Sequence, residues 1–476
     1  MNPIHEITQT KVCFINHSSV LIRRGDQYLL TDPWHQRPAF GSWLPSLPQY
    51  MHPAYLAALG ERLSVLISHG HDDHCDDKFL LLLDKGTQFI TANFSSPSVI
   101  NRLKRLGFTN VLTVDRNGAS VADSFIVKSY ITTEKSLDDA TYTINTGDGL
   151  VIHCNDNWYE FESTVYDDIR SDRDRFEECN VMLLSQSNSA SGFPLTYTDI
   201  PLDDRTRLLR RKVRAMVIQG LRNAESLSLR RMFSYAGFAA IFVKDKPEYY
   251  ELGLMPTARF LKSDLLNDSE AQAQLNKVDI AEFEPGDVID LGTGELRKAF
   301  IDSNHYSDDS IAAATARYYD LSGVIRTCDT FSTAEPTPFD EQQLDYFMCN
   351  LGSFVLRKLD TDLDAASFRT ILGKSFEIQV TDLGIERRLV FGETTVNTPE
   401  AADSPPYKRL KVTSFLMARV LSGELLFENL YTGYEGEWQR YPPDVYNRDI
   451  VVFLVMYSYV YKNRLAATFG RKGVVE

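Results

Sequence analysis

The apolar run Leu63-Ser64-Val65-Leu66-Ile67 passes directly into Ser68-His69-Gly70-His71-Asp72-Asp73-His74. Such a run reads as a buried strand, and a helix starts near Asp76, so the polar cluster occupies a strand-to-helix turn. In a tight turn, His69 and His71 point to one metal ion, while Asp73 and His74 point beside it to a second. Imidazole and carboxylate together suit zinc, iron or manganese. The competing account is a polar, capped helix entry. It fits less well, because histidine is scarce and buried polar clusters need partners. Cys75 adjoins the motif as a packing residue.

A chain of 476 residues has room for two or three domains. Its net charge of −15 argues against a nucleic-acid partner, which requires a basic surface. The cysteines are scattered, without a Cys-x-x-Cys pair, and Met1 to Thr10 is polar rather than a secretory signal. Reduced thiols in a cytoplasmic protein are expected. The longest apolar run, Ile450 to Tyr461, falls short of the roughly 20 residues that cross a bilayer. It reads as a core helix, and no membrane span is expected.

Strands are expected over Lys11–Ile15, Ser19–Arg23 and Gln27–Thr31, the last two joined by the hairpin signal Arg24-Gly25-Asp26. Beyond Leu63 strands and helices alternate: a helix near Asp77–Leu83, strand Gln88–Ile90, helix Ser96–Leu106 and strand Val111–Val114. Strands Ser124–Ile131, Thr141–Asn145, Leu150–His153 and Val181–Leu184 follow. Asp203 then caps a long helix carrying Arg205, Arg207, Arg210, Arg211, Lys212 and Arg214. That row reads either as a solvated face paired with local acids or as a landing site for a phosphate, nucleotide, coenzyme A or carrier handle. A linker at Thr333–Asp340 divides the chain into a catalytic region, 1–330, and a C-terminal α+β region, 341–476, and Asn397–Pro406 reads as a second linker within the latter. In the latter, helices near Gln342–Leu359, Val412–Ser422 and Asp449–Lys462 accompany strands near Phe376–Val380 and Arg388–Phe391.

His-x-His-x-Asp-His after an apolar strand resembles the signature of the metallo-β-lactamase superfamily. The resemblance implies an α/β fold, a metallo-β-lactamase-like αββα sandwich with its metals at one edge, here with an additional C-terminal α+β region. It implies that Asp156, at a strand end, bridges two metals and that Asp32 lies beneath the histidines and orients them; a plain turn aspartate is the other reading. His153 faces either the metal or the sheet. His17 and His35 either line the pocket mouth or are solvated. The third histidine that hydrolases of the superfamily bring to the first metal is missing from Ser129–Asp139, which offers Glu134, Asp138 and Asp139 instead. No histidine stands near Arg231–Phe238 for the second metal, and His305 is the only later one. Fewer histidines and more carboxylates shift the preference from zinc towards iron.

Seven segments also resemble, in order, the catalytic region of the CMP-N-acetylneuraminate hydroxylases. They include Thr31-Asp32-Pro33-Trp34, Ser191-Gly192-Phe193-Pro194, Phe233-Ser234-Tyr235-Ala236 and Gln439-Arg440-Tyr441-Pro442. That family implies a non-haem iron oxygenase using molecular oxygen, and two irons are expected here. Its Rieske pattern has no counterpart here, so a separate electron donor, the substrate or a second iron is expected to supply electrons. The candidate ligands are His69, His71, Asp73, His74, Glu134, Asp139, His153 and Asp156. Asp73, His17 and Tyr235 are candidate catalytic groups, and Arg440, Ser191 and Phe193 candidate substrate contacts. The expected function is hydroxylation of a small biosynthetic intermediate. The alternatives are a zinc hydrolase of an ester, lactone or phosphodiester, and a binding module that keeps the fold alone.

Overall fold

In the computed structural model of the chain, the strand ahead of the histidine cluster, Leu63–Leu66, is buried along its whole length inside an eight-stranded sheet. The model describes residues 10–468 apart from 36–37, 46–49, 132–138, 158–159, 177–179, 186–191, 237–238, 244–245, 247–248, 250–261, 264, 266, 300–337, 362–368, 401–404 and 443–447. Strand order in this sheet is Leu296–Arg297, Val288–Asp290, Lys11–Asn16, Ser19–Arg24, Gln27–Thr31, Leu63–Leu66, Gln88–Ala92, Val111–Val114. Its first half is antiparallel. From Gln27–Thr31 onward the strands run parallel, because helices such as Ser98–Arg105 carry the chain back across the sheet.

Alternation along Lys11–Asn16 divides the packing. Cys13 and Ile15 join Val65, Phe79, Phe89, Val99 and Leu103 in one core beneath the helices. Phe14 faces the other way, with its ring 6.4 Å from Tyr235 and 5.0 Å from Phe283. Tyr235 belongs to, and Phe283 directly follows a strand of, a second sheet of seven strands, ordered Asp279–Glu282, Arg231–Tyr235, Asn180–Ser185, Leu150–His153, Ala140–Asn145, Phe125–Ile131, Ala119–Val121. The two sheets are also tied at the site edge, where the Ala92 amide donates to the Tyr142 hydroxyl at 2.9 Å.

The chain divides into two units, one of residues 1–39, 43–190 and 210–324, the other of 40–42, 191–209 and 325–476. The second therefore takes in a stretch ahead of the expected boundary near 330. It holds a five-stranded sheet ordered Val396–Asn397, Ile385–Val390, Ser375–Val380, Lys408–Val412, Glu437–Arg440. Ile450, Phe453, Leu454 and Tyr457 of the helix Arg448–Thr468 are buried in its core with Leu344, Phe347 and Phe354. The helix expected from Val412 begins at Ser414, because Val412 completes a strand and Thr413 caps the helix.

The long basic helix spans Leu202–Ser226, so Asp203 lies in its first turn rather than capping it. Several of its arginines are already engaged. Arg205 is buried and donates to the Leu195 carbonyl, Arg207 pairs with Asp204 at 2.7 Å, and Arg214 lies 3.6 Å from Asp268. Among the described residues no helix is long and apolar enough to cross a membrane.

Candidate metal centre

The site is built where Leu63–Leu66 ends. Ile67 makes a last bond to the Ile90 carbonyl, and the Asp32 amide bonds the Leu66 carbonyl, both at 2.9 Å. The chain then turns through His69–Cys75. Asp76 caps the next short helix by accepting from the Lys78 and Phe79 amides and also takes the His35 amide. Arg102 clasps the turn from the helix above. It donates to the Gly70 carbonyl at 2.7 Å, to Asp72 at 2.8 Å and to Asp77 at 2.7 Å. Asp72 is thereby spent on holding the turn.

Two groups of possible metal ligands result: His69, His71 and Asp156, and His17, Asp73 and His74. In the first, His69 Nε2 lies 2.7 Å from His71 Nδ1 and 3.9 Å from Asp156 Oδ2. In the second, Asp73 Oδ2 is 3.2 Å from His17 Nε2 and 3.4 Å from His74 Nε2. Asp156 Oδ2 is also 3.7 Å from His74 Nε2, which puts its carboxylate within reach of both groups. His74 Nε2 and Asp73 Oδ1 are buried without a hydrogen-bond partner among the described residues. Buried polar atoms are rarely left so, and a cation would satisfy both; the residues fit a metal.

Charge is concentrated here. Burial opposes ionisation of His74, but Asp73, Asp156 and Asp32 outweigh it and hold its pKa well above the usual histidine value. His69 is held well below that value by burial and by its neighbours His74 and His71. Beneath them sits Asp32, fully buried at a positive φ of 37°. It accepts from the Ser68 amide and hydroxyl, both at 2.7 Å, and lies 3.2 Å from His74 Nδ1 and 3.0 Å from His153 Nε2. Burial alone would raise its pKa, yet the bonds from His153 and His74 keep it ionised and well below the carboxylate range. Since Ser68 Oγ also lies 3.1 Å from His69 Nδ1, Asp32 orients both His69 and His74 with their Nε2 atoms turned to the ligand groups.

A protein-family model for the β-lactamase superfamily domain matches residues 11–184. This part of the chain is a metallo-β-lactamase superfamily domain. Its paired sheets form the αββα sandwich of that superfamily, with the C-terminal unit as an addition. The chain is distantly related to the CMP-N-acetylneuraminate hydroxylases. It is 21% identical over 467 residues to the Xenopus laevis cytidine monophosphate-N-acetylneuraminic acid hydroxylase, covering 92% of this chain and 70% of that one. Two solved structures are also similar. One, described as a possible metal-dependent hydrolase of Veillonella parvula, is 14% identical with a TM-score of 0.39, covering 59% of this chain and 99% of that one. The other, the diiron β-hydroxylase CmlA of Streptomyces venezuelae, is 17% identical with a TM-score of 0.36, covering 58% and 53%.

Within the metallo-β-lactamase domain, the expected ligands separate. His69, His71, Asp73, His74 and Asp156 come together. His153 joins neither group: its Nε2 meets Asp32 and its Nδ1 lies 2.8 Å from the Tyr235 hydroxyl, so both ring nitrogens are engaged on the sheet side. Tyr235 is fully buried behind it and accepts from the Asn155 amide, which places it among supporting groups rather than in a ligand group. Asp139 accepts from Asn155 Nδ2 at 3.0 Å and likewise belongs to neither group. Glu134, Asp138 and Ser191 lie outside the described residues, as does His305. His35 is buried against Phe79 at 4.6 Å, not solvated.

His17 was expected as a catalytic or pocket-mouth group, and the structure instead seats it in the second ligand group. It stands on a turn at φ 50°, its carbonyl bonded to the Ala236 amide and its ring edge-on to Trp34 at 4.8 Å. Three contributors had not been anticipated. Asn155 stands 3.0 Å from His69 Nδ1, Ser68 links His69 to Asp32, and Arg102 clasps the loop. Asn155 and Ser68 adjoin ligands in sequence, which is a usable signal; Arg102 has none. Phe193 and Arg440 belong to the second unit, where the guanidinium lies 4.9 Å from the phenyl ring.

Proposed function

We propose that the chain is a non-haem iron-dependent oxygenase, with two irons, that hydroxylates a small biosynthetic intermediate. The observation that carries this reading is the composition of the ligand groups, each of two histidines and one aspartate. Two imidazoles and one carboxylate with open positions suit iron that must bind a further molecule. The distant relationship to hydroxylases supports the same choice. In this proposal His69 and His71 would hold one metal, His17, Asp73 and His74 the other, and Asp156, within reach of both groups, would be shared between them. Glu134 is kept as a further ligand of the first metal, with Asp139 as the rival that reaches His69 through Asn155. Iron held there would supply electrons and an open coordination position for molecular oxygen, and a separate donor would restore the electrons. Asp32 and Ser68 fix the imidazoles, and Arg102 keeps the loop in register. Arg440, Phe193 and Ser191 are proposed substrate contacts, and the cytoplasm is the proposed location.

A zinc hydrolase is the second reading, because two histidines and a carboxylate also serve catalytic zinc. Expression in medium containing both metals, followed by elemental analysis and oxygen-electrode measurement of the reduced protein, separates the two. Two irons per chain with oxygen uptake are expected. Zinc alone, with hydrolysis of esters or phosphodiesters and no oxygen uptake, would overturn the proposal.

A further inference from the structure

Far along the chain, in the second unit, two cations face one another across a strand pair. Lys408 opens the strand Lys408–Val412, Arg440 ends the strand Glu437–Arg440, and the antiparallel register sets them directly opposite. Directly paired residues project from the same face of a sheet, and like charges so placed repel. Trp438, two residues before Arg440, shares that face, and Tyr197 is bridged to Trp438 from the other side. Lys408 is completely buried. Its Nζ donates to the Tyr197 hydroxyl at 2.8 Å and stands 5.3, 5.9 and 5.8 Å from the rings of Tyr197, Tyr431 and Trp438. Arg440 is only half-buried and lies over Phe193 and Tyr197, at 4.9 and 5.2 Å.

An aromatic cage can stabilise one buried ammonium. It does not explain a second cation set opposite the first. Nor does the cage prevail, since burial, and then Arg440, lower the Lys408 pKa from 10.5 to about 7. Asp199 is the carboxylate that acts on both cations, and it is itself held above its ordinary value by burial. Arg440 Nε is buried with no hydrogen-bond partner among the described residues. Local arrangements that cost stability without a packing gain are characteristic of binding sites.

We propose that the face carrying Lys408 and Arg440 is a binding site for an oxyanion, the phosphate or carboxylate group of a small molecule, with Arg440 as the contacting cation and Lys408 as the charge behind it. Guanidinium offers a planar fork of donors to either oxyanion, and the Phe193 and Tyr197 rings hold that fork flat. A planar or apolar body attached to the anion would lie against the same rings. The site lies among residues of the second unit and gives the proposed substrate contacts Arg440 and Phe193 their chemistry, so in that respect it rests on the proposed function, while anion binding itself is read without turnover.

Calorimetric titration of the full-length, metal-loaded protein with inorganic phosphate and with acetate, at ionic strength held constant with chloride, tests this. Saturable binding of one anion is expected, and the anion that binds decides between phosphate and carboxylate. Lys408→Met and Arg440→Gln should each weaken that binding at least tenfold, while Arg440→Lys keeps part of it. Circular dichroism checks that each variant is folded, and Lys408→Met, which puts an apolar side chain of similar length into an apolar core, is the variant expected to fold best. His69→Ala should bind as the wild type does. The absence of saturable binding to either anion would overturn the proposal, as would wild-type affinity in both Lys408→Met and Arg440→Gln. Loss of binding in His69→Ala alone would place the anion on the metals and overturn it too.

Discussion

Replacing Lys408 by methionine should stabilise the protein at acid pH and cease to do so in alkali. The folded state releases the Lys408 proton near pH 7, whereas an unfolded chain holds it to about 10.5. Between those values the unfolded state binds more protons, so the stability traceable to Lys408 rises with pH across that window. Below pH 7 both states are protonated and the full penalty stands. At about 1.4 kcal/mol for each tenfold change in protonation, that penalty is roughly 5 kcal/mol. Methionine removes it but leaves the buried Tyr197 hydroxyl without its 2.8 Å donor, at a cost of about 1–3 kcal/mol. The net gain at pH 6 is therefore roughly 2–4 kcal/mol, or an upward shift in midpoint of roughly 5–10 °C. At pH 10 and above only the loss remains, and the variant should melt below the wild type. Differential scanning calorimetry of both proteins at pH 6 and pH 10 provides the measurement. Equal destabilisation at both pH values would show that the buried ammonium imposes no penalty, and the reasoning would fail.

Three further outcomes are expected. His17→Ala should lose about one of two metal ions per chain in elemental analysis while keeping the other, because only the second ligand group contains His17. Arg102→Met should lower metal occupancy and destabilise the domain by about 2–4 kcal/mol, through loss of the bonds to Gly70, Asp72 and Asp77; unchanged occupancy and midpoint would remove Arg102 from any role in holding the loop. Gly192→Ala should destabilise the second unit more than Gly373→Ala, as read by thermal midpoint. Both glycines have positive φ, 58° and 73°, but only at Gly192 would a Cβ meet a neighbour, Tyr431 Cε1 at 2.3 Å.

Much of the first unit was legible because its strands obey two simple rules. Parallel strands covered on both faces, such as Leu63–Leu66, are largely apolar and buried along their whole length, while Lys11–Asn16 alternates between two cores. The histidine turn was legible because its ligands are local in sequence, spaced so that one turn presents them all. What escaped was non-local. His17 and His74 are far apart in the chain, and their rings meet at 5.4 Å only because the first hairpin turn and the metal loop end at one sheet edge. The second group's remaining histidine lies upstream of the motif, at His17, not downstream of it. Strands Asp279–Glu282, Val288–Asp290 and Lys408–Val412 were missed for a related reason: each holds an acid or base that breaks the apolar pattern, and each is fixed by its neighbours rather than by propensity.

The presence of His17 in the second group also bears on the choice of metal. On sequence, the shift from zinc to iron rested on histidines lost and carboxylates gained. In the fold, four histidines are shared evenly between the two groups; among the described residues Asp73 belongs to the second group, and Asp156 to the first while also reaching the second. Among the described residues the centre is thus not nitrogen-poor, and what distinguishes it from a three-histidine zinc site is two imidazoles rather than three in each group. Asp156, within 4 Å of both His69 and His74, offsets charge at both groups at once, which favours a metal pair over a single ion. Asp156→Asn keeps the shape and removes that charge. Loss of both ions in this variant, against loss of about one in His17→Ala, would mark Asp156 as the bridge. Retention of both ions would make the two groups independent sites, and the two-iron reading would then lose its structural basis.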